Sequence, residues 1–173
     1  MDVYMVALRL IHIFGGVAWV GASFLMIGSI KPAVEALGQE GGKFMQSLLG
    51  PGRFSQYMGI MGIFTVVSGI LLYIRASNSF SLGWITSGQG LVLTIGALAG
   101  LVAWIDGTFV IRPLQDRLKA LGLEIQAADG PPSPEQIEEL QGLQEKQARN
   151  ATASTIMMMV ALVGMSAAEY IWA

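Results

Sequence analysis

Gly90-Leu91-Val92-Leu93-Thr94-Ile95-Gly96-Ala97-Leu98-Ala99-Gly100-Leu101-Val102-Ala103-Trp104-Ile105-Asp106-Gly107-Thr108-Phe109-Val110-Ile111 carries one charged residue, Asp106, and no proline. A helix of about 20 such residues crosses about 30 Å of hydrocarbon, so this stretch predicts a membrane span. Three further stretches read the same way, and the four spans fall at about residues 4–30, 55–75, 90–112 and 151–172. Trp84 before the third and Trp172 at the end of the fourth suit an aromatic belt.

The third span does not stop at the lipid boundary. Ile111, Leu114, Leu118, Leu121 and Ile125 continue it as a 3-4-3-4 apolar seam. Pro113 is expected to kink the helix there. Asp129-Gly130-Pro131-Pro132 reads as a turn, and Ser133-Pro134-Glu135-Gln136 supplies an N-cap, a proline at the first helical position and a capping box. Nothing afterwards obliges the last helix to break, and Ile137, Leu140 and Leu143 would face the seam. The expectation is an all-α polytopic membrane protein, one transmembrane domain over residues 1–173. It is a four-transmembrane-helix bundle whose helices 3 and 4 extend into a cytoplasmic antiparallel hairpin at about residues 113–150.

Composition agrees. The chain is 53% hydrophobic and 13% charged, against about 25% charged in soluble proteins, and its mean hydropathy is +0.58. The absence of cysteine excludes disulfides, thiolate metal sites and covalent c-type haem attachment. A net charge of −2 gives no case for a nucleic-acid partner; the lipid bilayer is the expected partner. The start, Met1-Asp2-Val3-Tyr4, has no basic segment, so the first apolar run reads as a retained span and not a secretory signal. Lys31, Lys43 and Arg53 follow the first span, and Arg112, Arg117, Lys119, Lys146 and Arg149 follow the third. Positive-inside counting therefore predicts a cell-membrane protein with both termini outside. In the first connection, Lys31-Pro32 allows a bend, Gly50-Pro51-Gly52 marks a turn, and residues 43–49 read as a short amphipathic interfacial helix.

Polar groups within spans are expensive and usually find partners. His12, the only histidine, lies one turn from Arg9 in the first span. Glu169 lies at a similar depth in the fourth, so an Arg9–Glu169 pair joined by His12 is expected to orient the two helices. Asp106 is expected to pair at the opposite interface with Arg53, Arg112 or Lys31. Met26, Met58, Met61 and Met157-Met158-Met159 share one half of the membrane; thioethers can hold Cu(I) but also fill gaps. Gly96, Gly100, Gly164 and Ala168 suit close helix approach, within the bundle or in a homo-oligomer. No Ser/His/Asp order, H-E-x-x-H, P-loop or dinucleotide fingerprint is present, so no enzymatic activity is assigned.

Leu10-Ile11-His12-Ile13-Phe14-Gly15-Gly16-Val17-Ala18-Trp19-Val20-Gly21 resembles the first span of small membrane proteins related to copper-resistance protein D and to the HemJ type of protoporphyrinogen oxidase. Ile30-Lys31-Pro32-Ala33-Val34 is similar to the proline-containing end of their first span, and Val67-Ser68-Gly69-Ile70-Leu71-Leu72 to the glycine in their second span. An uncharacterised family of predicted integral membrane proteins of this length is the nearest likeness. The resemblance implies a haem-ligating histidine, carried over to His12; the family's second ligand, a lysine in a later span, has no counterpart.

Three functional readings follow. The first is a b-type haem or related redox cofactor held by His12, with Arg9, Gly15, Gly16 and Trp19 around it and room over the glycines for a flat macrocycle. The second is a non-enzymatic scaffold or membrane-complex subunit, with Arg9, His12 and Glu169 as a structural cluster and the hairpin as its interaction surface. The third is a small metal or solute permease.

Overall fold

A computed structural model describes residues 2–49, 53–128 and 130–170. The turn at 50–52, Asp129 and Trp172 lie outside the described residues. All regular structure among the described residues is helical: α1 (Val3–Ala36), α2 (Gln39–Leu49), α3 (Arg53–Ala76), α4 (Leu82–Ile85), α5 (Gly88–Ala127) and α6 (Pro134–Ala167). Helices α1, α3, α5 and α6 are each long and apolar enough to cross a membrane.

Local chemistry sets the ends. The Asp2 carboxylate accepts from the Met5 amide at the start of α1. The Ser87 hydroxyl accepts from the Gly90 amide at the start of α5, at 3.1 Å. Ahead of α6 the expected capping box is complete. The Gln136 amide donates to the Ser133 hydroxyl at 3.3 Å, and the Ser133 amide donates to the Gln136 side chain at 2.9 Å. Two otherwise orphaned donors are satisfied reciprocally.

Neither Pro32 nor Pro113 breaks its helix. Each follows a π-helical turn, Met26–Ile30 in α1 and Gly107–Ile111 in α5. There the Lys31 and Arg112 amides reach back five residues, to the carbonyls of Met26 and Gly107. A proline within a helix removes one hydrogen bond and crowds the carbonyl four residues back. A single wide turn absorbs both effects locally, so the kink expected at Pro113 becomes a π turn, and Pro32 repeats the device.

The long helices associate as two antiparallel pairs. In the α1–α3 pair, a Cβ on Gly15 would lie 2.8 Å from Thr65 Oγ1, and one on Gly69 would lie 2.8 Å from His12 Cε1. In the α5–α6 pair, Gly96 and Gly164 meet backbone to backbone, a Gly164 Cβ falling 3.0 Å from Gly96 Cα. Lipid offers no hydrophobic drive between helices, so close backbone approach at small residues is what such contacts rely on. Trp19, Ala103 and Met158 form the buried cluster between the two pairs, with Met58, Met61, Trp104 and Met157 packed around it.

Beyond the apolar stretches, the rest of α5 lies along the first part of α6. Leu121 of the predicted seam is only 1% exposed. Arg117 bonds both carboxylate oxygens of Glu139, at 2.7 and 2.9 Å, and Glu124 at 2.9 Å. That guanidinium holds the Glu139 carboxyl below the usual carboxylate range, and the two carboxylates push the Arg117 pKa upward. At the opposite end, between α3 and α4, Asn78, Ser79 and Phe80 all have positive φ (48°, 58° and 66°). Buried Ser77 takes the Phe80 amide on its hydroxyl, and Phe80 and Trp84 flank the Tyr73 ring at 5.9 and 5.7 Å. These contacts offset a left-handed backbone that costs about 1–2 kcal/mol per residue.

Candidate functional site

His12 turns towards α3. Its Nδ1 lies 2.8 Å from the Thr65 carbonyl oxygen, and the ring edge rests against Gly69. A carbonyl can only accept, so Nδ1 carries the proton and donates. In the neutral imidazole this leaves the lone pair on Nε2. The Ser68 hydroxyl stands 3.5 Å from the same nitrogen and is engaged with the backbone of its own helix.

The other residues expected around His12 take different places. Arg9 and Glu169 are both exposed and form no ion pair with each other. The Arg9–His12–Glu169 cluster is therefore not assembled. The physical reason is the pairing of helices: the tight Gly15–Thr65 and His12–Gly69 contacts direct this part of α1 to α3 and not to α6. Gly15 is packed by Thr65, Gly16 lies 3.7 Å from the Thr65 methyl by the same construction, and Trp19 is buried. The space over these glycines is thus taken by helix α3. Among the described residues no three His, Asp or Glu side chains converge as a metal site would require.

Asp106 also departs from expectation. It makes no ion pair among the described residues. Its Oδ2 is buried without a hydrogen-bond partner. Ser154 on α6 neighbours its carboxyl, and the single proton of the Ser154 hydroxyl goes to the Ala103 carbonyl at 3.2 Å.

A cavity between the helix pairs was not foreseen from the sequence. A cavity of about 200 Å³ opens between all four long helices. Both π turns line it: Met26 and Ile27 from one, Gly107, Thr108 and Ile111 from the other. A wide turn shifts the following residues around the helix axis and leaves its own side chains incompletely packed. Two such turns at one level leave a gap between the pairs. Trp19, Trp104, Met58 and Met158 make its apolar wall, so the methionine cluster read from sequence converges in part, while Met159 of the run faces outward. Gln115, Gln147 and Arg112 line it as well, further along α5 and α6. The sequence signal for this site was the recurrence of Lys-Pro and Arg-Pro after spans one and three.

No protein-family model, no curated protein and no solved structure matches the chain.

Proposed function

We propose that this chain is a multi-pass binding protein of the cell membrane that holds a small amphipathic molecule in the cavity between its four long helices. In this reading the helices form a four-helix bundle with both termini outside, and the α5–α6 extension is a cytoplasmic hairpin. The basic residues at the ends of α1 and α5 support that orientation. The observation that carries the function is the coincidence of two π turns on one cavity. Such turns cost regular hydrogen bonding and recur at functional sites, and a concave apolar wall with a few convergent polar groups is the usual form of a ligand site.

The test is native mass spectrometry of delipidated full-length protein titrated with hexadecanol and hexadecanoate. Gly59 lines the cavity and a Cβ there meets nothing within 4 Å, so Gly59→Phe is expected to fill the space and abolish one-to-one binding. Equal binding by both proteins would overturn the proposal.

A second reading keeps His12 as an axial ligand of a b-type haem, and one observation favours it. A ligating histidine commonly donates its other ring N–H to a carbonyl, as Nδ1 does to Thr65. His12 Nε2 would be the ligand atom, and the haem would supply one-electron redox chemistry. With Gly15 and Gly16 packed on Thr65, the macrocycle would lie outside the α1–α3 contact, against lipid or a second chain. Purified protein from haem-supplemented cells with no Soret band would end this reading.

A further inference from the structure

The charge of the cavity lining narrows what it can hold. Among the described residues Arg112 is its only ionisable side chain; no described aspartate, glutamate, lysine or histidine lines it. Arg112 forms no ion pair among the described residues, and the side chains of Gln115 and Gln147 make no hydrogen bond among them. Arg112 is itself exposed, so the cavity lining offers one accessible cationic fork and two amide groups with unused donors. Asp106 lies six residues before Arg112 on α5, about 9 Å along the axis, so its carboxyl does not occupy the fork.

The apolar wall lies at the other side. Trp19 and Trp104 close the cavity towards the middle of the spans, where both indoles converge on Gly62. Met26, Met58 and Met158 add flexible, polarizable surface that adapts to an alkyl chain. The volume, about 200 Å³, is below the roughly 300–1,000 Å³ of sites for drug-sized molecules. A slender single chain fits it better than a macrocycle or a two-tailed lipid.

We infer that the cavity is a site for a single-chain carboxylic acid, its carboxylate on Arg112 with Gln115 and Gln147, and its alkyl chain against Trp19 and Trp104. Charge count favours a carboxylate over a phosphate monoester. One unpaired guanidinium neutralises a single negative charge in bidentate geometry, whereas a phosphate monoester carries about −1.5 to −2. The inference rests on the binding reading above and adds the head group to it.

The experiment titrates delipidated full-length protein with hexadecanoate, hexadecyl phosphate and hexadecanol, in wild type, Arg112→Gln, Arg112→Lys and Gly59→Phe. Hexadecanoate is expected to bind one-to-one and tightest of the three. Arg112→Gln is expected to weaken it about tenfold or more, a charged hydrogen bond being lost, while Arg112→Lys keeps most of the affinity and hexadecanol is unaffected. Unchanged melting temperatures for the Arg112 variants separate this loss from misfolding. Hexadecanol binding as tightly as hexadecanoate, with no effect of Arg112→Gln, overturns the carboxylate assignment and leaves the amphiphile reading standing. Hexadecyl phosphate binding tightest overturns it in favour of a phosphate head. Retention of all three by Gly59→Phe overturns both readings.

Discussion

Gly69→Ala is the sharpest probe of the contact that fixes His12. The added Cβ would lie 2.8 Å from His12 Cε1 and 3.1 Å from Nδ1. Ordinary contact begins near 3.4 Å, so the ring must retreat by about 0.6 Å. It cannot do so freely, because Nδ1 is held on the Thr65 carbonyl at 2.8 Å, and retreat stretches that bond beyond the usual range of about 2.7–3.2 Å. Overpacking of this kind costs roughly 1–3 kcal/mol and the weakened hydrogen bond up to about 1 kcal/mol. Replacing a mid-helix glycine by alanine returns about 1 kcal/mol. The net expectation is destabilisation of about 1–3 kcal/mol, read by thermal or SDS-driven unfolding in micelles. Gly21→Ala is the reference, because a Cβ there meets nothing within 4 Å, and it should be neutral or slightly stabilising. In a His12→Ala background the Gly69→Ala cost should vanish, giving a coupling of about 2 kcal/mol in the double-mutant cycle. If Gly69→Ala matches Gly21→Ala, or the two changes simply add, His12 does not sit against α3 as described and the argument fails.

Three further outcomes are expected. Gly164→Leu should drive α5 and α6 apart, since its Cβ would meet the Gly96 backbone at 3.0 Å; gel filtration should show aggregate or no folded protein, while Gly142→Ala on the same helix, with nothing within 4 Å, elutes normally. Arg117→Gln should return the Glu139 carboxyl to its ordinary titration range, followed by carboxyl-carbon NMR. Because Glu139 is depressed in the folded chain, its contribution is present above the ordinary carboxylate range and is lost as pH falls through the depressed value; a Glu139 midpoint unchanged by Arg117→Gln would contradict the pairing. Ser133→Ala removes the reciprocal cap of α6, which should cost about 1 kcal/mol and appear as faster amide exchange confined to residues 134–137.

The four long helices and the start of α6 were legible because hydropathy and capping are local properties. Pro113 was legible as a perturbation, but its form was not. A proline at this spacing can break, kink or widen a helix, and the neighbours decide which. The helix pairs were illegible for a related reason. Arg9 and Glu169 match in depth, which suggested that α1 meets α6. What directs this part of α1 to α3 is steric: Gly15 accepts Thr65 and Gly69 accepts His12. A glycine in a sequence marks where a neighbour can approach, not which neighbour comes. Asp106 was expected to pair with a base because a lone carboxyl near an interface usually does. Instead its neighbour is Ser154 on the facing helix, and Arg112 is an exposed residue of the cavity lining.

These placements describe a molecule closed at one level and open at another. Towards the termini, Gly15 on Thr65, His12 on Gly69 and Gly96 on Gly164 hold the backbones within each pair in close contact. Tyr73 then ties α3 to α5: the Thr94 hydroxyl gives its proton to the Gly90 carbonyl at 2.6 Å, so the Tyr73 hydroxyl donates to Thr94 at 2.7 Å. Towards the basic end, both prolines widen their helices at one level, and the gap forms there. Trp19 and Trp104, converging on Gly62, stand between the two regimes as a floor. A ligand entering from the basic end meets aromatic surface within the bundle and no packed route onward through the glycine contacts. In the binding reading proposed above, that arrangement serves retention of a molecule and not its passage. A permease built on these helices would have to separate the glycine contacts in each turnover, and those contacts are the ones that hold the pairs together.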